Sequence, residues 1–175
     1  KNKHDTTTPV FEISESDLSR LSLLKTPNEV LAVVEQFSYA EPVATSGLCI
    51  YLDGIQDPGN LGTIIRIADW FGVQHIICSP HCADMYNPKV VQSTMASIAR
   101  VQVWYDEEHT WLSKQHVDLY AATLAGKPLR EFGAINNGIL LIGNESKGLR
   151  SELLKMSQHQ VTIPRIGKAE SLNAA

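Results

Sequence analysis

No apolar run in the 175 residues approaches the roughly 20 that cross a bilayer, so a membrane helix is not expected. Nor do the first residues carry a charged-then-apolar leader. Cysteine is scarce: Cys49, Cys78 and Cys82. An odd number without framework spacing fits a reducing compartment, so a cytoplasmic protein is expected. Positive charge is not in excess, the formal net charge being −4. That counts against a naked nucleic-acid-binding domain, though not against a local basic patch. Lys147, Arg150, Lys155, Arg165 and Lys168 crowd the C-terminal stretch. There is no G-x-G-x-x-G, which disfavours a dinucleotide Rossmann site. His75, Cys78, His81 and Cys82 stand close together, but His75 and Cys78 flank a strand and no second ligand cluster exists. No metal is therefore expected.

What is present reads as one globular domain, with 43% hydrophobic and 19% charged residues. Residues 1–9, with three threonines and Pro9, read as a tail, and residues 10–26 as a connector. Pro27 opens an expected amphipathic helix through Gln36, ended by Glu41-Pro42. From Leu48 the pattern is regular. Strands are expected at 48–52, 74–78, 100–104, 118–123, 138–142 and 160–163. Helices are expected at 61–71, 88–98, 108–116 and 149–155, with another starting at Leu172. Alternating strands and helices imply an α/β fold, a mostly parallel sheet with helices on both faces. In such sheets ligands bind beyond the carboxyl ends of strands. Those ends carry loops 53–60, 123–128, 143–148 and 164–171.

Three stretches could carry chemistry. In Asp57-Pro-Gly-Asn-Leu-Gly-Thr-Ile-Ile-Arg66, Asn60 is placed to cap a helix, and Gly62 permits a close approach. Arg66 stands among apolar neighbours, where a guanidinium needs a partner. In Gly143-Asn-Glu-Ser-Lys-Gly148, two glycines permit a tight loop after an apolar strand. Glu145 is too polar for a core and could hold an arginine or accept from a ligand's amine. No Gly-Lys-Ser/Thr follows, which excludes a P-loop. In Ile163-Pro-Arg-Ile-Gly-Lys-Ala-Glu-Ser-Leu-Asn173, Ser171 can cap a helix whose first turn holds Leu172 and Asn173. A plain cap explains Ser171 alone, but not the three stretches in this order. Trp70, Trp104 and Trp111 could stack on bases, but core packing is the expected role.

The stretches N-x-G-x-x-x-R, G-N-E-x-x-G and I-P-x-x-G-x-x-x-S-L-N resemble the three motifs of the SpoU (TrmH-like) branch of the SPOUT RNA methyltransferases, from about Leu48 to Asn173. The segment Asn87–Val101 resembles the family's middle segment, with Thr94 and Ala96 in place of the commoner Ser and Gly. Arg165 stands where a methionine is usual. The stretch Lys25–Val33 resembles the family's interdomain linker. Residues 1–46 are thus expected to be tail and linker from an upstream RNA-binding domain, and residues 47–175 the catalytic domain.

The resemblance implies a C-terminal deep trefoil knot with the cofactor bound in it, a rare arrangement. It also implies a homodimer and transfer of a methyl group from S-adenosylmethionine to a ribose 2′-hydroxyl of rRNA or tRNA. The linker favours rRNA. The helix that should pass through the knot begins at Leu172 and is expected to be truncated here. By position, Thr123, Leu124, Gly143, Asn144, Glu145, Gly148, Ile163 and Leu172 should contact the cofactor. Arg66 is the implied catalytic residue, with Asn60, Glu145, Ser171 and Asn173 completing the site. Three alternatives remain open: a non-catalytic RNA-binding relative, a base-directed RNA methyltransferase, and a nucleotide-binding enzyme of flavodoxin or Rossmann type.

Overall fold

Six strands share one sheet, and every strand pairing in it is parallel. The computed structural model describes residues 9–24, 26–168 and 172–175. The chain divides into two units, residues 1–37 and 38–175. The first unit contains α1 (Glu15–Leu21), capped by the Ser14 side chain, which accepts from Asp17 N. The helix expected at 27–36 does not form. Val30, Val33 and Val34 are exposed there. A short, β-branched segment with no buried face lacks the packing that holds most helices.

The second unit holds β1 (Leu48–Asp53), α2 (Pro58–Trp70), β2 (His75–Cys78), α3 (Pro88–Ser93), β3 (Gln102–Tyr105), β4 (Leu119–Pro128), β5 (Gly138–Gly143), α4 (Ser151–Met156) and β6 (His159–Thr162). The strand order is β3-β2-β1-β5-β4-β6. Alternation along β1 sends Ile50 and Leu52 to one core, with Ile64, Ile65 and Ala68 of α2 and Val90 of α3. Cys49 and Tyr51 face the other core, with Trp111, Leu112 and Leu153 of α4. Helices therefore cover both faces, as a buried parallel sheet requires.

Two expected helices are shorter than the pattern suggests. The one at 88–98 ends at Ser93, because Met95 and Ala96 adopt positive φ of 49° and 71° before a 3-10 turn over Ser97–Ala99. The one at 108–116 is only a 3-10 turn, Leu112–Lys114. Here Asp106, buried at the end of β3, accepts from Thr110 N and Trp111 N and draws the chain into a turn. Trp111 then seats in the core and donates to Pro42 O at 2.6 Å. Trp104 packs partly buried against the same core. Trp70, also expected inside, is 85% exposed at the end of α2.

Leu172 begins no helix in residues 172–175. Ala174 and Ala175 instead pack against the first core.

Candidate active site

The carboxyl ends of β1 and β5 lie side by side, with Asp53 in register with Gly143. The loop after β5 folds on itself through Asn144. The Asn144 carbonyl accepts from Gly148 N at 2.8 Å, and its side-chain oxygen accepts from Ser146 N at 3.0 Å and Lys147 N at 3.1 Å. Gly148 closes the turn with φ +69°, a conformation that favours glycine. Any side chain at Gly143 would run into the Gly148–Leu149 backbone. The spacing of the two glycines is thus a steric requirement of the loop.

Two amides tie this loop to the elements around β1. Asn144 Nδ2 donates to Gly54 O at 2.8 Å. Asn60 Nδ2 donates to Glu145 Oε1 at 2.6 Å. The first and second sequence stretches therefore meet through side chains at the expected end of the sheet. The helix cap is not Asn60, however. Asp57 caps α2, its carboxylate accepting from Asn60 N at 2.9 Å. That bond and the Lys89 ammonium 3.5 Å away hold the Asp57 carboxyl below the usual carboxylate range. With the cap supplied by Asp57, the Asn60 side chain is free to reach Glu145.

Gly62 does permit a close approach, and the neighbour is α3. A Cβ there would sit 2.7 Å from Val90 O and collide with Ser93. Arg66 is not among apolar groups: it lies on the exposed face of α2 and has no partner among the described residues. Helical spacing, four residues, places Trp70 on the same exposed side. The buried charge that the apolar neighbours suggested does not arise, because Ile64, Ile65 and Ala68 turn inward while Arg66 turns outward.

The third group of residues lies where β4 meets β6. Ala122 and Lys127 both register with Val161, so Thr123–Gly126 bulges out of the ladder. A Cβ on Gly126 would come within 2.6 Å of the Gln160 and Val161 backbone. Glycine is what lets the bulge turn back against β6. The bulge leaves Thr123 Oγ1 buried with no hydrogen-bond partner. Beside it Leu124 is 81% exposed, and Ile163, just past β6, is 66% exposed. Leu172 is exposed as well. A hollow of about 530 Å³ is lined by Leu129, Arg130, Gly133, Ile163, Pro164 and Ile166, and shares only Ile163 with the expected contacts. Ser171 lies outside the described residues. Asn173 is exposed and, among the described residues, accepts from Ala175 N and makes no hydrogen bond with Asn60 or Glu145.

Behind the loop after β1, Cys82 donates its thiol to Leu52 O at 3.3 Å. The Cys78 thiol and backbone N–H groups bring its pKa down to about 7. Among the described residues no group of three or more His, Cys, Asp or Glu converges on a point. No helix among them is long and apolar enough to cross a membrane.

Sequence reasoning missed Asp53, Gly54, Asp57 and Arg150. Asp53 Oδ1 accepts from Arg150 Nε at 2.8 Å and Asp53 Oδ2 from Arg150 N at 2.9 Å. The available signal was a carboxylate ending the apolar strand Leu48-Cys-Ile-Tyr-Leu-Asp53.

A profile of the SpoU rRNA methylase family matches residues 47–175. The chain is 32% identical over 173 residues to the 23S rRNA (guanosine(2553)-2′-O)-methyltransferase RlmP of Bacillus subtilis, covering 94% of this chain and 67% of that one. A putative RNA methyltransferase of the TrmH family from Porphyromonas gingivalis has a similar structure. Its TM-score is 0.84 at 38% identity, over 96% of this chain and 72% of the other. An AdoMet-bound rRNA methyltransferase from Sinorhizobium meliloti gives a TM-score of 0.82 at 29% identity, over 92% and 65%. The chain thus spans about two thirds of the length of these proteins, and 56% of a further curated relative.

Proposed function

The chain belongs to the SpoU rRNA methylase family, and from that premise we propose that it transfers a methyl group from S-adenosylmethionine to a ribose 2′-hydroxyl of structured RNA, rRNA before tRNA. The observation that carries this reading is the 2.6 Å contact of Asn60 with Glu145, which joins the Arg66-bearing helix to the Gly143–Gly148 loop. Its relatives include enzymes named as 23S rRNA 2′-O-methyltransferases.

The residues present suit the cofactor. Thr123 Oγ1 is a buried hydroxyl lacking a partner, so it can bond an amine or a ring nitrogen. Leu124, Ile163 and Leu172 are exposed apolar side chains that an adenine face would cover. The Gly143, Asn144 and Gly148 backbone and the Glu145 carboxylate would complete the contacts. When bound, S-adenosylmethionine supplies an activated methyl group on a cationic sulfur.

This chain's own residues align the acceptor. A ribose hydroxyl is a weak acid and must lose its proton. A guanidinium offers five N–H donors and no acceptor, which makes Arg66 an awkward base. Arg66 instead orients the hydroxyl and a neighbouring phosphate with its planar fork. It is exposed and has no competing partner among the described residues. Asn60 and Glu145 hold the helix start against the cofactor loop, and on this reading Ser171 and Asn173 belong to the same site. On this reading the C-terminal chain forms the family's trefoil knot and the protein works as a cytoplasmic homodimer. Residues 1–46 lead from an RNA-binding domain.

Tritium transfer from labelled S-adenosylmethionine to separate rRNA and tRNA pools tests the proposal, with the modified nucleotide mapped by mass. Label at one rRNA position is expected. Cofactor binding without label in any RNA would overturn the catalytic reading.

A further inference from the structure

Asp53 ends β1 and is only 5% exposed. A carboxylate at that depth is costly unless both oxygens are satisfied. Both are satisfied, by one residue: Arg150 gives its backbone N–H to Oδ2 at 2.9 Å and its Nε–H to Oδ1 at 2.8 Å. Arg150 is the N-cap residue of α4 and has no side-chain cap of its own. Asp53 therefore takes up a backbone N–H at the helix start and the guanidinium together.

The next residue acts on the other end of the same segment. Gly54 O accepts from Asn144 Nδ2 at 2.8 Å. Gly54 N in turn donates to Ser79 Oγ at 3.0 Å, which braces this turn against the chain after β2. Two consecutive residues, Asp53 and Gly54, thus grip the loop after β5 at Asn144 and at Arg150. Glu145 and Gly148 lie between the grips. The far side of Arg150 meets a third loop, its Nη2 lying 3.1 Å from His109 Nδ1. His109 follows β3 and holds a positive φ of 54°.

An ion pair at this depth is weak evidence for stability, because an apolar pair of similar volume often serves as well. What it provides here is fixed geometry, since two oxygens with two donors from one residue set both distance and angle. We infer that Asp53 is a positioning residue for the Gly143–Gly148 loop. Acting through Arg150, and with Gly54 at the other end, it sets the loop's shape and the aim of Glu145. The inference rests on the reading that this loop contacts S-adenosylmethionine.

The test uses the full chain and S-adenosylhomocysteine as calorimetric probe, with wild type, Asp53→Asn, Arg150→Lys and the double variant. Asp53→Asn should weaken binding about tenfold, the scale of one lost charge-assisted bond. Arg150→Lys keeps the charge and the backbone bond but loses the Nε contact, and should weaken binding less. The double variant should be no weaker than Asp53→Asn alone, since both act through one contact. In steady state the KM for S-adenosylmethionine should rise while the KM for RNA stays within about twofold. A purely structural role would lower the melting temperature without that split. Unchanged binding in a folded Asp53→Asn protein would overturn the inference, as would unchanged binding in Arg150→Lys if Asp53→Asn does not fold. Wild type failing to bind the probe would overturn the underlying reading of the loop as well.

Discussion

Asn60 and Glu145 lie 85 residues apart in the chain and 2.6 Å apart in space, amide nitrogen to carboxylate oxygen. Each belongs to a different sequence stretch, and their bond joins the two. Asn60→Ala should lower kcat/KM by about tenfold or more, and cost about 1–2 kcal/mol of stability for the lost charge-assisted bond. Asn60→Asp should be worse near neutral pH, because two carboxylates at this spacing cannot both ionise easily. Steady-state kinetics beside thermal melts check the order wild type, Ala, Asp.

The parallel sheet and its two covered faces were legible in the sequence because strands such as Leu48–Leu52 and Ile139–Ile142 are uninterrupted apolar runs between helical patterns. For the candidate site the sequence named positions but not the contacts among them. Capping chemistry made Asn60 a reasonable cap. Only the fold reveals that Asp57 takes that place and releases the Asn60 amide. Arg66 was misplaced because Ile64, Ile65 and Ala68, its neighbours in sequence, point inward while Arg66 does not. The helix over 27–36 failed because periodicity records an apolar stripe without recording anything to pack it against. Asp53 was overlooked because its partner Arg150 is 97 residues away.

Ala96 holds a left-handed conformation, φ +71°, at the position where the resembling family commonly has glycine. An L-residue there costs roughly 1–2 kcal/mol. Ala96→Gly recovers that strain but loosens the unfolded chain by about 0.4–1 kcal/mol. The net expectation is a gain of about 0.5–1 kcal/mol, read as a melting temperature higher by a few degrees. An unchanged or lower melting temperature would contradict the strain at this turn.

Arg66 is exposed and without a partner among the described residues, so stability and activity should separate there. Arg66→Lys keeps the charge and loses the fork. It should melt within about 0.5 kcal/mol of wild type, as surface changes do. Methyl transfer should fall steeply while S-adenosylhomocysteine binding is retained. Full methylation by this variant would remove Arg66 from the mechanism.

Asp69 on α2 accepts from Arg100 and from Ser97 Oγ at 2.7 Å, and these bonds hold its carboxyl below the usual carboxylate range. A lowered folded-state pKa means the stabilisation is complete above the unfolded value, near pH 4. It is lost as pH falls through the lower, folded value. Wild type should therefore lose stability between these limits more steeply than Arg100→Gln, in which the Asp69 carboxyl returns toward its ordinary value. Melting temperatures across the acid range check this, with the Asp69 titration followed by NMR.

The central claim is that the acceptor is a ribose 2′-hydroxyl. Once the modified nucleotide is mapped, the most direct measurement compares two RNA substrates that differ only there, one with ribose and one with 2′-deoxyribose. Labelled methyl should transfer to the first and not to the second. Equal transfer to the deoxy substrate would contradict the account and make the base the acceptor.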